Sequence, residues 1–573
     1  MVSAVQAIAF DYDGTLTETD RPDPEVLEAI REVRLLGRVV VLVTGRILSE
    51  LRTVFPEVDE EFDAIVAENG AVLSDAEGVH DLAEPVAPEL VRSLVHRDIP
   101  VRTGRVLLAC DAEYAEQVLE DIARLELDAQ VVRNRAALMV LPGGVTKGIG
   151  LTRALGNLGV SRHSTMAVGD AENDHHLLAV CELGVAVANA VDALKRRADL
   201  VLTEPNGAGI VELLRGPLVR GTETLPPSGW KLTLGCDPSG DPVQIPASQV
   251  NILLTGGSTS GKSYVAGLLV EQLAGMDYGV LVIDLEGDHQ GLAGRRGILG
   301  VGGKEPLPSP EALAALLRHR FSSVVLDLSQ HDPHAQRHYL QHIAPGILAQ
   351  RAVTGLPHWV FFDEAHALPL GLGLWADALE EGATGFCHST YRPHTLPAIV
   401  RDAAGVFVLS AGDGTGSLEA RRYVAQTAEV REEALVRGLE AGRGHGVVVA
   451  PQVRQPVTAF RVAERISGHV RHWHKYIHGE LPEALRFYFG TADEPRVAAN
   501  LREFHRHLGT CVAWTVEAHA RRHDFSNWIR LVLQDEELAD VIGAFERRLR
   551  AGEQPAPAVR DAILLAIEGR YLE

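Results

Sequence analysis

Residues 5–15 read Val-Gln-Ala-Ile-Ala-Phe-Asp-Tyr-Asp-Gly-Thr: an apolar run, then two carboxylates separated by one residue, then a glycine. A short apolar run with β-branched and aromatic members ahead of a turn signal predicts a buried strand. Open α/β sheets bind ligands just beyond the carboxyl ends of their strands, so Asp11 and Asp13 stand where chemistry is expected. Asp11 can attack phosphorus to give an acyl-phosphate. Asp13 can protonate the leaving oxygen and then deprotonate water. Gly14 lets the chain turn sharply after them.

Outward from this stretch, residues 24–37 (PEVLEAIREVRLLG) are amphipathic and 38–43 (RVVVLV) read as a second strand. That alternation predicts a parallel sheet with crossover helices. The second strand ends at Thr44-Gly45-Arg46, where a hydroxyl and free backbone N–H groups can hold phosphoryl oxygens. A third run, 164–168 (STMAV), ends in Gly169-Asp170-Ala171-Glu172-Asn173-Asp174, whose carboxylates are the hard oxygen ligands Mg²⁺ prefers. Lys147, at the start of the preceding helix, supplies positive charge against phosphate. Between about 82 and 145 the order changes to short strand and helix pieces, a small α+β insertion that reads as a cap. Each motif alone also fits a surface turn or a solvated residue; their chain order at the ends of apolar strands argues for one site.

Residues 11–17 (DYDGTLT), 44–46 (TGR), 67–71 (AENGA) and 169–178 (GDAENDHHLL) together resemble the haloacid dehalogenase-like phosphatase superfamily, in its branch with an α+β cap after the second motif. The resemblance covers about residues 5–214 of a unit taken as 1–221. It implies Asp11 as nucleophile and Asp13 as general acid/base, with Thr44, Gly45, Lys147 and Asn173 on the phosphoryl group. It also implies Mg²⁺ held among Asp11, Asp13, Asp170 and Asp174. The second carboxylate of the pair favours phosphatase over dehalogenase chemistry. The short cap is similar to those of phosphoglycolate and sugar-phosphate phosphatases, which implies a phosphorylated small acid or sugar as substrate.

A second alternation opens at 250–255 (VNILLT) and runs into Gly256-Gly257-Ser258-Thr259-Ser260-Gly261-Lys262-Ser263 and an amphipathic segment. This is GxxxxGK[ST] in a strand–loop–helix setting. There the backbone N–H groups would cradle the phosphates of ATP, Lys262 would reach the β/γ oxygens and Ser263 would contact Mg²⁺. The run 358–362 (HWVFF) presents Asp363-Glu364, one carboxylate for Mg²⁺ and its neighbour to polarise water as a catalytic base. With 284–288 (DLEGD) and 388–393 (HSTYRP), these segments resemble HerA/FtsK-type ATPases over about 228–462, which implies ATP turnover and a homo-hexamer. Arg392 and Arg443 are the arginine-finger candidates.

The expected fold class is therefore α/β. A Rossmann-like parallel sheet with a small α+β cap comes first, then a P-loop NTPase domain (222–463) with its own parallel sheet, then a helical domain (464–573). The stretch from Gly216 to Ser248 reads as a linker followed by a hairpin. A chain of 573 residues with 46% hydrophobic and 23% charged residues has the composition of packed globular domains. Its net charge of -23 opposes phosphate-tracking contact with nucleic acid, which stays an unfavoured partner. The five cysteines (110, 181, 236, 387, 511) form no CxxC pair and read as reduced and structural. No apolar run reaches about 18 residues, so a membrane span is not expected and the cytoplasm is the expected location. His469, His472, His474 and His478 approximate one helical face.

The function these features predict is a Mg²⁺-dependent phosphatase fused to an ATP-hydrolysing domain. Two alternatives stay open: an ATP-driven nucleic-acid processing protein with an end-phosphatase, and an ATPase governed by a phospholigand sensor. The intact Asp11/Asp13 pair argues against the sensor.

Overall fold

The computed structural model describes residues 5–572 apart from 135–136, 224, 227, 258–259, 320–321, 369–371, 412–414, 443, 451–456, 467–484, 491–495 and 534. The first part of the chain contains β1 (Ala7–Asp11), β2 (Val39–Val43), β3 (Ala64–Ala67), β4 (Val72–Asp75) and β5 (Gly78–Asp81). Next come β6 (Arg102–Thr103), β7 (Leu108–Asp111), β8 (Ala129–Asn134) and β9 (Ala137–Pro142), then β10 (Thr165–Gly169), β11 (Leu183–Ala186) and β12 (Leu200–Val201).

Eight of these strands form one sheet in the order β12-β11-β10-β1-β2-β3-β4-β5, parallel as far as β3. All five residues of β1 are buried, as a central strand covered on both faces requires. The first crossover helix, Pro24–Leu35, has proline in its first turn and turns Val26, Leu27, Ile30 and Val33 inward, one helical face. β2 follows β1 on one side while β10 is its neighbour on the other, so the chain reverses its winding at β1 and opens a crevice at the carboxyl ends.

The remaining four strands, β6-β7-β9-β8, make a separate antiparallel sheet. With helices Pro88–His96 and Ala115–Arg124 it forms a small layer around Leu90, Leu94, Val118 and Val140. Glu68 fastens this layer to the main sheet. Its fully buried carboxylate accepts the backbone N–H groups of Arg105 (2.9 Å), Val106 (2.9 Å) and Leu107 (3.0 Å).

The second part contains β13 (Lys231–Cys236), β14 (Pro242–Pro246), β15 (Ile252–Gly256), β16 (Val280–Asp284), β17 (Ile298–Gly302), β18 (Ser323–Asp327), β19 (Trp359–Phe362), β20 (Phe386–Thr390), β21 (Val406–Ser410), β22 (His445–Val449) and β23 (Val457–Val462). They form one sheet in the order β14-β13-β23-β22-β21-β15-β20-β19-β16-β18-β17. It is parallel from β21 to β17 and antiparallel at the other end, so it is mixed where the sequence pattern predicts a purely parallel one. The hairpin expected after the linker is present and forms the edge of this sheet. Leu232, Leu234 and Ile245 alternate inward and pack with Val265 and Leu269 of helix Lys262–Gly275, a burial that sequence spacing alone does not reveal.

The C-terminal part has its own core and is not wholly helical. β24 (Phe487–Phe489) and β25 (Arg496–Ala498) pair antiparallel. Phe487 and Phe489 both turn onto Phe504 of helix Leu501–Gly509, with ring centroids 5.0 and 5.2 Å away. Three residues are too few for their period of two to stand out against the helical pattern that follows. The four histidines between 469 and 478 lie outside the described residues.

The two large sheets meet at the amino ends of their strands. Glu182, just before β11, lies 3.0 Å from His163 Nδ1 and accepts the Tyr278 hydroxyl (2.7 Å) and the Ser248 hydroxyl. His163 also reaches the Met276 carbonyl oxygen at 2.7 Å, and the Trp230 indole N–H donates to the Cys181 carbonyl at 2.9 Å. Carboxyl ends, where both sets of sequence-chosen residues sit, therefore point away from this contact.

Candidate active site

Six of the residues singled out around 11–17 and 44–174 lie at the carboxyl ends of β1, β2 and β10: Asp11, Thr44, Lys147, Asp170, Asn173 and Asp174. Lys147, buried at the first turn of helix Lys147–Asn157, donates to Asp11 Oδ1 at 2.5 Å and to Asp174 Oδ1 at 2.7 Å. The helix comes this close because Gly70 has no side chain: a Cβ there would lie 2.0 Å from the Thr146 carbonyl oxygen. The other oxygen of Asp174 accepts the N–H groups of Asp170 and Ala171, both at 3.0 Å, which fixes the turn after β10. Carboxylate oxygens of Asp11, Asp170 and Asp174 lie within 4.8 Å of one another, and all three residues are buried. Thr44 is fully buried at the end of β2, its hydroxyl oxygen accepting the Arg46 N–H at 3.1 Å. The Asn173 side-chain nitrogen is buried and has no hydrogen-bond partner among the described residues.

Burial and then the charge of Asp174 push the Asp11 carboxyl well above its usual range, with Lys147 opposing them. Burial works to lower the Lys147 ammonium, but Asp11 and Asp174 together outweigh it and raise it. One lysine facing three buried carboxylates leaves an excess of negative charge, and hard oxygen donors this close fit a divalent cation.

The family model for haloacid dehalogenase-like hydrolases matches residues 8–99 and 96–214. A phosphoglycolate phosphatase of Methanothermobacter thermautotrophicus is 31% identical over 217 residues, 37% of this chain and 98% of that protein. Phosphoglycolate phosphatases of Archaeoglobus fulgidus (32% over 222 residues, 37% of this chain and 96% of that one) and Saccharolobus solfataricus (32% over 215 residues, 36% and 90%) match the same part. Over this stretch the chain belongs to the haloacid dehalogenase-like hydrolases. It is a hydrolase of the phosphatase type there, and the matched stretch is the N-terminal 37% of the chain.

In this haloacid dehalogenase-like unit, Asp13 stands apart from the carboxylate trio. Its carboxylate is gripped by Arg46, through Nε at 3.1 Å to both oxygens and through Nη2 at 2.7 Å. Both line a cleft of about 640 Å³ under the small antiparallel sheet, with Gly45 and Glu50 on the main-sheet side and Arg102, Ala109 and Met139 on the other. Arg102 pairs with Glu50 at 2.8 Å. Sequence reasoning names Thr44-Gly45-Arg46 but gives Arg46 no role, and it misses Arg102; a charged residue on a short exposed strand carries no local signal.

The second group lies at the carboxyl ends of β15, β16 and β19. Gly256 and Gly257 leave β15, and Gly261 precedes helix Lys262–Gly275; Ser258 and Thr259 lie outside the described residues. Gly256 has a φ of +150°, and a Cβ there would meet the Ser260 hydroxyl oxygen at 2.5 Å. Lys262 and Ser263 are buried, and Lys262 donates to the Gly257 carbonyl oxygen at 3.0 Å. Asp363 lies 3.1 Å from His289 Nε2, and Glu364 lies 3.1 Å from His366 Nδ1. Burial pushes Asp284, at the end of β16, up to about 7. Arg392 lies over the Tyr391 ring at 5.0 Å, and Arg443 is outside the described residues.

Among the described residues no helix is long and apolar enough to cross a membrane, and all five cysteines are free.

Proposed function

We propose that the N-terminal unit hydrolyses a small phosphorylated acid through a phosphoryl group carried on Asp11. The observation that carries this reading is the buried Lys147 held between Asp11 and Asp174, with Asp170 alongside. The Asp11 carboxylate attacks phosphorus and the bond to the leaving oxygen breaks as Asp13 donates its proton. Asp13 then takes a proton from water, which attacks the acyl-phosphate and frees Asp11 and inorganic phosphate. Thr44, the backbone at Gly45, Lys147 and the Asn173 amide hold the phosphoryl oxygens. Asp11, Asp170 and Asp174 would hold Mg²⁺, with Asp13 joining them through the backbone turn it shares with Asp11. When bound, that ion supplies positive charge to the phosphoryl oxygens.

The names of the relatives and an arginine on the far wall of the cleft both favour a substrate with a second anionic group, phosphoglycolate first among them. The test is phosphate release from phosphoglycolate and from an aryl phosphate, with and without Mg²⁺. Release that needs Mg²⁺, disappears in Asp11→Asn and survives Lys262→Ala is expected. Release that persists in Asp11→Asn sinks the proposal.

For residues 222–463 we infer a P-loop domain that binds and hydrolyses ATP. Support comes from a glycine turn between β15 and a 14-residue helix that begins at the buried Lys262, and from Asp363-Glu364 at the end of β19. β20 lies between β15 and β19, so Ser389 and Thr390 come between the phosphate loop and the two carboxylates. In this reading Gly256, Gly257, Ser258, Thr259, Ser260 and Gly261 surround the phosphates, Ser263 and Asp363 hold Mg²⁺ and Glu364 polarises water. ATP hydrolysis that is lost in Lys262→Ala and in Glu364→Gln, with phosphatase activity retained, is expected. Equal hydrolysis in the parent and both variants places the ATPase elsewhere or nowhere.

A further inference from the structure

A cavity of about 420 Å³ lies where the two large sheets meet, away from both groups of residues assigned above. Its walls include residues just before β10 (His163), β15 (Ser248), β16 (Tyr278) and β20 (Thr384), together with helices Pro333–Thr354 and Gly373–Glu380. It is therefore at the amino ends of the strands, and neither proposed reaction uses it.

Two side chains on its wall keep N–H groups without an acceptor. Arg351 Nη2 donates to the carbonyl oxygens of His358 (2.8 Å) and Thr384, and the guanidinium lies over the Phe386 ring at 4.7 Å. Room for it comes from Gly385, whose φ is +81° and where a Cβ would lie 2.6 Å from Arg351 Nη2. Among the described residues no carboxylate lies within ion-pair distance of Arg351, and its Nη1 and Nε find no acceptor. The second donor is His358. Its Nδ1 accepts the Gly279 N–H at 2.8 Å, which puts the ring proton on Nε2. That Nε2 is buried and without a hydrogen-bond partner among the described residues. Burial holds the ring well below its usual pKa, so it is neutral. A buried donor without an acceptor is destabilising, and a ligand oxygen would relieve that.

The rest of the wall is largely apolar: Leu218, Leu225, Leu348, Trp359 and Leu374. Glu223, Asp377 and Glu381 are exposed and also border it. We propose that this cavity binds a small molecule with an apolar body and a carboxylate, the carboxylate taken by Arg351 and His358. The three bordering carboxylates repel a bare acid and attract an ammonium, so an apolar amino acid binds more tightly than the matching acid.

The test is titration calorimetry on the full chain with L-leucine, 4-methylpentanoate and 3-methylbutylamine, which share one branched body and differ in their charged groups. Binding of the two carboxylates, leucine the tighter, and none of the amine is expected. Arg351→Gln should weaken both by about tenfold or more, a loss of about 1.4 kcal/mol. Ala378→Phe fills the cavity from helix Gly373–Glu380 without removing a donor and should abolish binding; it decides the matter if Arg351→Gln does not fold. No heat from either carboxylate at about 10 mM, far weaker than a specific site would give, overturns the proposal and leaves the donors to water. Equal binding of the amine, or binding unchanged in Ala378→Phe, overturns it as well.

Discussion

Asp13 and His388 show how one side chain's surroundings set its behaviour. Asp13 faces the cleft with Arg46 on both of its oxygens, and in the proposed reaction it is the group that protonates the leaving oxygen. Asp13→Asn keeps the shape and removes the proton, so kcat should fall by about 10²–10⁴ with KM little changed. Steady-state kinetics on an aryl phosphate check this; an unchanged kcat removes Asp13 from the chemistry. His388 is buried between the rings of Phe362 and Phe386, at centroid distances of 5.2 and 6.3 Å. Burial pushes its pKa down to about 3 from the usual 6.5. Between those values the unfolded chain binds a proton that the folded chain refuses, so the contribution is whole above pH about 6.5 and is lost as pH falls toward about 3. Denaturant unfolding of His388→Met should show a flatter acid limb than the parent between these pH values. Parallel limbs would mean that another group controls acid stability.

At the scale of elements, the small antiparallel sheet is held over the cleft by one buried carboxylate. Glu68→Ala removes the acceptor of three backbone N–H groups at once, at a cost of about 1–3 kcal/mol for each donor left buried and unsatisfied. Water entering the gap would offset part of this. Faster amide exchange at residues 105–107 and a raised KM are expected, with unchanged exchange in β1 and β2. Exchange that is unaltered at 105–107 would show that packing of Val106 and Leu107 suffices. None of this is visible in the sequence motif AENGA, which marks Glu68 without saying that its partners lie 37 to 39 residues away. By contrast β1, β2 and β10 are legible as apolar runs because their neighbours on both faces are apolar too. β13 and β14 are harder to assign, because an edge hairpin alternates in the same way whether it joins a sheet or stands apart. β24 is harder still, three residues long beside a strongly helical pattern.

Across the whole molecule, Glu182 is the centre of the contact between the two large sheets. Glu182→Ala leaves His163, Ser248 and Tyr278 without their shared acceptor and should cost about 3 kcal/mol or more. For units of this size that is about 6–12 °C, and calorimetry should show one unit melting earlier than the other. Coincident, unshifted melting would mean that apolar packing alone joins them. By itself the sequence determined the strand-end motifs at 11–15, 44–46, 169–174 and 256–263, because a buried strand followed by a turn is written in adjacent residues. The meeting of Lys147 with Asp11 across 136 positions, the grip of Arg46 on Asp13, the arginine on the far wall of the cleft and the buried junction around Glu182 were decided only by the tertiary structure. Local periodicity reports which face of an element is buried, whereas the pairing of distant polar groups depends on how whole sheets close on one another.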